Sequence, residues 1–127
     1  MIIGLGNDLV DIRRIEKSLE QFGERFIAKV FTEAERATAE RRVGQARSGA
    51  YAKRFAAKEA LGKAFGTGIR APLLLPEIAV SHDELGKPAF VFGTALAGHF
   101  AGRGLVAHLS ISDEQDYAVA FVILEKP

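Results

Sequence analysis

The chain has 127 residues, 48% of them hydrophobic, with 17 basic against 16 acidic side chains and a net charge of +1. That composition predicts one folded domain over residues 1–127 with a single modest core, and it offers no bulk charge for nucleic acid or an anionic membrane. Cysteine is absent, which excludes disulfides, thiolate metal sites and a cysteine nucleophile; no apolar run approaches the roughly 20 residues of a membrane span, and Met1-Ile2-Ile3-Gly4 lacks a secretory start, so the expected location is cytoplasmic.

Ile2 to Val10 reads as a buried strand with Ile3, Leu5 and Leu9 on one face and Gly4, Gly6 and Asp8 on the other. Glycine within a strand marks a place where a ligand or another backbone comes near, which leaves Asp8 as a candidate metal ligand with room around it. Ile12, Ile15, Leu19 and Phe22 recur at spacings of three and four, predicting a helix over 11–21 that Asp11 caps and Gly23 ends. Its polar face carries Arg13, Arg14 and Lys17, and Arg25, Phe26 and Lys29 follow. Such charges usually solvate a face; here an aromatic beside them also makes a small positive patch. Thr32 and Glu35 form a capping-box pattern at the start of a second helix, and residues 41–49 read as a polar loop.

The segment from Arg54 to Gly68 is a helix ended by glycines. Glu59 and Lys63 stand one turn apart on a strip that otherwise carries only Ala52, Ala56 and Ala60, whereas Tyr51, Phe55, Leu61 and Phe65 spread over the opposite side. Bulk is missing where the charges are. That pattern fits either a solvated ion pair or a helix that something approaches closely. Further on, residues 78–82 and 88–92 predict a hairpin, residues 94–103 a short helix, and residues 106–112 a strand with His108, Ser110 and Ser112 on its polar face. Residues 117–124 are apolar on both faces, which fits a subunit interface or a central strand under helices.

Oxygen ligands without nitrogen or sulfur suit Mg²⁺, which takes one or two carboxylates and completes its shell with water and phosphate oxygens. Lys63, Arg54 and His108 suit a phosphate or pyrophosphate. No Gly-x-x-x-x-Gly-Lys-Ser/Thr occurs, so this is not a P-loop protein. The residues alone therefore point to a Mg²⁺-dependent phosphate-handling enzyme. A non-enzymatic module binding an acidic partner and a Mg²⁺-dependent phosphohydrolase of pyrophosphates such as coenzyme A stay open beside it.

Five blocks narrow this: Gly4-Leu5-Gly6-Asn7-Asp8-Leu9-Val10; Arg54-Phe55-Ala56-Ala57-Lys58-Glu59-Ala60; Lys63-Ala64-Phe65-Gly66-Thr67-Gly68-Ile69; Gly86-Lys87-Pro88; and His108-Leu109-Ser110-Ile111-Ser112 before Tyr117-Ala118. In order and spacing, over essentially the whole chain, they resemble bacterial holo-acyl-carrier-protein synthase, the short trimeric type of the 4′-phosphopantetheinyl transferase superfamily. The resemblance implies an α+β fold with an antiparallel sheet and packed helices, assembled as a homotrimer with active sites between subunits. It also implies transfer of phosphopantetheine from coenzyme A to a serine of apo acyl carrier protein in fatty acid biosynthesis. Carried over position by position, it makes Asp8 and Glu59 the Mg²⁺ ligands and Lys63 a phosphate contact, and it has His108 reach the pyrophosphate from a neighbouring subunit. Arg54 and Gly66, Thr67 and Gly68 line the nucleotide end, where glycine amides can approach an anion. Arg14, Arg25, Phe26 and Lys29 dock the acidic carrier protein. The general base stays open between Glu59 and a water held near it. Asp113 stands where many relatives carry a second histidine and receives no catalytic role. Gln21 lies near a position where some relatives have another docking arginine.

Overall fold

A computed structural model describes residues 1–127. Strand β1 (Ile2–Asp11) leads into helices α1 (Ile12–Phe22), α2 (Glu24–Val30), α3 (Glu33–Ala39) and the 22-residue α4 (Gly44–Phe65). The hairpin β2 (Ile78–His82) and β3 (Pro88–Phe92), helix α5 (Thr94–Arg103) and strands β4 (Val106–Glu114) and β5 (Tyr117–Glu125) complete the chain. All strand pairing is antiparallel, in one sheet of order β1-β5-β4 and a separate β2-β3 pair. This is the α+β class expected, and no helix is long and apolar enough to cross a membrane.

The core lies between α4 and one face of the larger sheet. Ala118, Ala120, Val122 and Leu124 of β5 are buried there, and Ala52, Ala56 and Ala60 of α4 are fully buried. The opposite face of that sheet is open and apolar. Leu5 is 65% exposed, Leu9 66% and Phe121 47%, and Leu9 pairs with Val119 and Leu5 with Ile123 in register. The first strand is therefore buried on its glycine face alone, and the residues expected to bury it, Ile3, Leu5 and Leu9, look outward. Strand β5 is the central strand of the larger sheet with a helix on one side, and its second apolar face is uncovered.

The glycines of β1 explain how helix and strand fit. A Cβ at Gly4 would lie 2.1 Å from the Ala64 carbonyl oxygen, and one at Gly6 would lie 2.1 Å from that of Ala60. What approaches the alanine strip of α4 is thus the backbone of β1. Contrary to the expectation that these glycines leave space around a metal ligand, the space is filled by the helix itself.

Helix α4 begins at Gly44 and so absorbs most of the segment expected as a loop. Gly44, Ser48 and Gly49 disfavour helix by propensity, yet Ser48, Gly49 and Ala50 are buried, with the Gly49 position in van der Waals range of Ile12 of α1; tertiary packing overrides the local preference. Helix α2 was not foreseen, although Ile27, Val30 and Phe31 carry helical spacing and are buried. The capping box forms as predicted, with the Thr32 hydroxyl accepting from the Glu35 amide and the Glu35 carboxylate accepting from the Thr32 amide. Glu35 goes further than capping. Its carboxylate also accepts from the Val80 amide at 3.0 Å and from Lys58 Nζ at 2.5 Å, while Lys58 donates to the Val30 carbonyl. Both charges are buried, and each satisfies the other's need for a partner. This pair ties α4 to α3 and the hairpin.

Candidate active site

Because Gly6 lets β1 lie against α4, Asp8, two residues on and on the same face, arrives beside the last turns of that helix. Lys63 Nζ sits 3.0 Å from Asp8 Oδ1. Glu59, one turn back on the same helix face, is half-buried. Burial, and after it the Asp8 charge, holds the Glu59 carboxyl above its ordinary range, with Lys63 and Arg14 pulling the other way. Arg14 reaches this site from α1, its guanidinium 5.8 Å from the centre of the Phe55 ring. The fold thus brings Asp8, Glu59 and Lys63 to one place.

The donor set is two carboxylates and no nitrogen or sulfur ligand. Two like charges close enough to raise a carboxyl pKa are what a hard divalent cation between them would relieve, so these residues fit Mg²⁺.

The other predicted contacts lie elsewhere within the chain. Arg54 is buried on the side of α4 facing α3 and the hairpin, with Nη1 donating to the Ala50 carbonyl at 3.0 Å and Nε without any partner. It lines a cavity of about 430 Å³ with Arg42, Lys53, His82, Pro88 and Asp113. Three of these were overlooked in the sequence: Arg42 read as part of a solvated loop, Lys53 is masked by its neighbour Arg54, and His82 closes an otherwise ordinary strand. His108 stands on the outer face of the sheet, bonded to Glu125 at 2.9 Å, whereas Asp8 faces inward across two strand spacings. Within one chain His108 does not reach the carboxylates.

Gly66 and Gly68 do not offer their amides as expected. Gly66 adopts φ +91 and its amide donates to the Gly62 and Lys63 carbonyls, while the Gly68 amide donates to Gly62 at 3.1 Å. Both amides terminate α4 and are not free to approach an anion, and Thr67 bonds back to Gly68 through its hydroxyl. Gly62 has a packing reason too: a Cβ there would lie 3.0 Å from Gly68.

Away from the carboxylates, α1 and α2 form the expected positive patch. Phe22, Arg25, Phe26 and Lys29 line a shallow depression of about 320 Å³, and Phe26 is anchored edge-on against Phe31.

Residues 4–122 match the family model of the 4′-phosphopantetheinyl transferase superfamily. The chain belongs to this superfamily. Among its members, the holo-acyl-carrier-protein synthase of Paramagnetospirillum magneticum is 62% identical, covering 98% of this chain and 97% of the relative. Of solved transferase structures, the synthase from Neisseria meningitidis superposes with a TM-score of 0.92 at 41% identity, covering 99% of this chain and 100% of that one. The Bacillus anthracis synthase, in complex with CoA (3′,5′-ADP), gives a TM-score of 0.85 at 38% identity, covering 100% and 99%.

Proposed function

We propose that this chain, acting as one domain in the cytoplasm, transfers the 4′-phosphopantetheine group of coenzyme A to a serine of an apo acyl carrier protein. The observation that carries the reading is the Asp8–Glu59–Lys63 group in a chain so similar over its whole length to synthases of that name. The serine oxygen attacks the β-phosphorus and loses its proton; the new phosphorus–oxygen bond replaces the one to the leaving adenosine 3′,5′-bisphosphate. Asp8 and Glu59 would hold Mg²⁺, which when bound polarises the pyrophosphate and neutralises charge on the leaving oxygen. Lys63, exposed and carried on a flexible stem, exchanges Asp8 for a phosphate oxygen. Glu59, or a water held near it, takes the serine proton. The bisphosphate end of coenzyme A takes the cavity around Arg54, whose partnerless Nε and neighbouring Arg42 and Lys53 suit phosphate.

The carboxylates belong to the β1 edge of the sheet, and the basic cavity and His108 to the β4 edge. A ring of three copies, β1 edge of one to β4 edge of the next, joins the two halves of the site and covers the apolar outer face. Mixed assemblies test this. Asp8→Ala and His108→Ala chains, each inactive alone, should recover about a quarter of wild-type activity when coexpressed, since about one interface in four then carries both intact residues. No recovery would confine the site to one chain.

The direct test is incubation with coenzyme A, Mg²⁺ and an apo carrier protein. A phosphopantetheine mass gain on the carrier that EDTA abolishes supports transfer; coenzyme A cleavage with an unmodified carrier supports a hydrolase instead. For docking, Arg25→Ala should raise the KM for carrier protein roughly threefold to tenfold in low salt, less in high salt, with the KM for coenzyme A unchanged. Arg14→Ala should move both constants, because Arg14 also faces Glu59. Equal effects of Arg25→Ala on the two substrates would remove it from the docking surface.

A further inference from the structure

The cavity around Arg54 contains a titratable group for which the transfer chemistry has no use. His82, the last residue of β2, sits on its rim, exposed to solvent at one side and facing the cavity at the other. We propose that His82 is a proton-coupled ligand of this cavity, which takes up a phosphomonoester dianion together with one proton that the imidazole receives. The inference rests on the reading that the bisphosphate end of coenzyme A occupies this cavity.

The charges around His82 come from every neighbouring element. Arg42 projects from the connection between α3 and α4, Lys53 and Arg54 from α4, and Asp113 from β4, while Asp83 follows directly in the turn; Thr38 of α3 adds only a hydroxyl. Asp113 is already engaged with Lys53 at 3.8 Å. Glu35, behind Arg54, is engaged with Lys58. Arg54 keeps an unpartnered Nε, so the cavity holds more positive charge than its own carboxylates answer. Desolvation of part of its ring, and after it the field of Arg54, Lys53 and Arg42, hold the imidazole below its ordinary value and favour its neutral form. A phosphate dianion among Arg42, Lys53 and Arg54 reverses the sign of the field. Imidazolium is then favoured and donates to the phosphate as a fourth cation.

A group whose pKa rises on binding takes up a proton when the pH lies between its free and bound values, so affinity increases as pH falls through the bound value and levels off below the free one. The phosphate works oppositely, releasing its own proton to enter a cationic site near its second pKa of about 6. The informative quantity is therefore the difference between wild type and His82→Asn.

Titration calorimetry with adenosine 3′,5′-bisphosphate, near pH 7 in buffers of different ionisation enthalpy, counts the protons. Wild type should take up more protons than His82→Asn, and the ratio of their affinities should grow roughly threefold to tenfold from pH 8 to pH 6. Nuclear magnetic resonance of the His82 ring in the unaltered protein provides a second measurement independent of any variant: the bisphosphate should move its titration to higher pH. Tight binding with equal proton counts and an unmoved His82 titration would overturn the proton coupling and leave the placement of coenzyme A standing. If wild type fails to bind the bisphosphate at all, the placement falls and the coupling with it.

Discussion

Glu59→Gln is expected to lower transfer by about a thousandfold or more while raising the thermal midpoint of the metal-free protein near pH 8. The exchange is nearly isosteric and removes only the charge, so the loss should fall on turnover and not on folding. The gain in stability has a separate origin. Glu59 is half-buried beside Asp8, and both burial and that charge hold its carboxyl above the ordinary range. A carboxyl whose folded pKa is raised binds its proton more tightly in the folded state than in the unfolded chain. Its ionised form therefore opposes folding above the folded pKa, and the penalty fades below the ordinary glutamate value of about 4.3. Thermal melts in EDTA at pH 8 and again near pH 4 should show the advantage of glutamine at the first pH and its disappearance at the second. Saturating Mg²⁺ should raise the wild-type midpoint and leave the variant nearly unmoved. Turnover at the wild-type rate would remove Glu59 from the ligand set. An unchanged or lower midpoint at pH 8 would mean that the carboxylate pair is not a source of strain.

The same pair shows where the sequence was readable and where it was not. That α4 carries Glu59 and Lys63 on a strip of alanines was visible from helical spacing, and so was the need for something to come close. The identity of the approaching body was not, because a glycine signals proximity without naming the neighbour; the helix backbone, not a ligand, lies over Gly4 and Gly6. Strand periodicity placed His108 on a polar face and Ala107, Leu109 and Ile111 on the core side, and both hold. It could not say how far His108 stands from Asp8, since that depends on strand order β1-β5-β4, which puts their two strands on opposite edges of the sheet. Arg54 and Glu59 are five residues apart and so project from different sides of one helix, which a motif written as a line conceals. The Lys58–Glu35 pair was hidden for another reason: each residue has an adequate local explanation, one within the alanine-rich helix and the other in a capping box. Only the fold reveals that they meet in the core.

Gly6→Ala should be the most damaging single-methyl change in the chain. Its Cβ would lie 2.1 Å from the Ala60 carbonyl oxygen, 2.5 Å from the Ala64 amide nitrogen and 3.1 Å from Lys63 Cβ. The first two are backbone atoms of a buried helix, so no side chain can turn aside, and β1 must lift away from α4. Such overpacking costs about 3 kcal/mol or more when backbone has to move. Gly98→Ala is the matched control. It lies inside α5 with nothing within 4 Å of the added carbon, so it should stabilise by up to about 1 kcal/mol through helix propensity alone. Denaturant unfolding of the two variants should move the midpoint in opposite directions; a wild-type midpoint for Gly6→Ala would mean that β1 does not lie this close to α4. The displacement also has a chemical consequence. Asp8 rides on the same strand, two residues beyond Gly6, whereas Glu59 and Lys63 ride on the helix. Any lift of β1 separates the first carboxylate from the other two groups. The fraction of Gly6→Ala protein that stays folded at low temperature should therefore need more Mg²⁺ for half-maximal transfer, whereas Gly98→Ala should need no more than wild type.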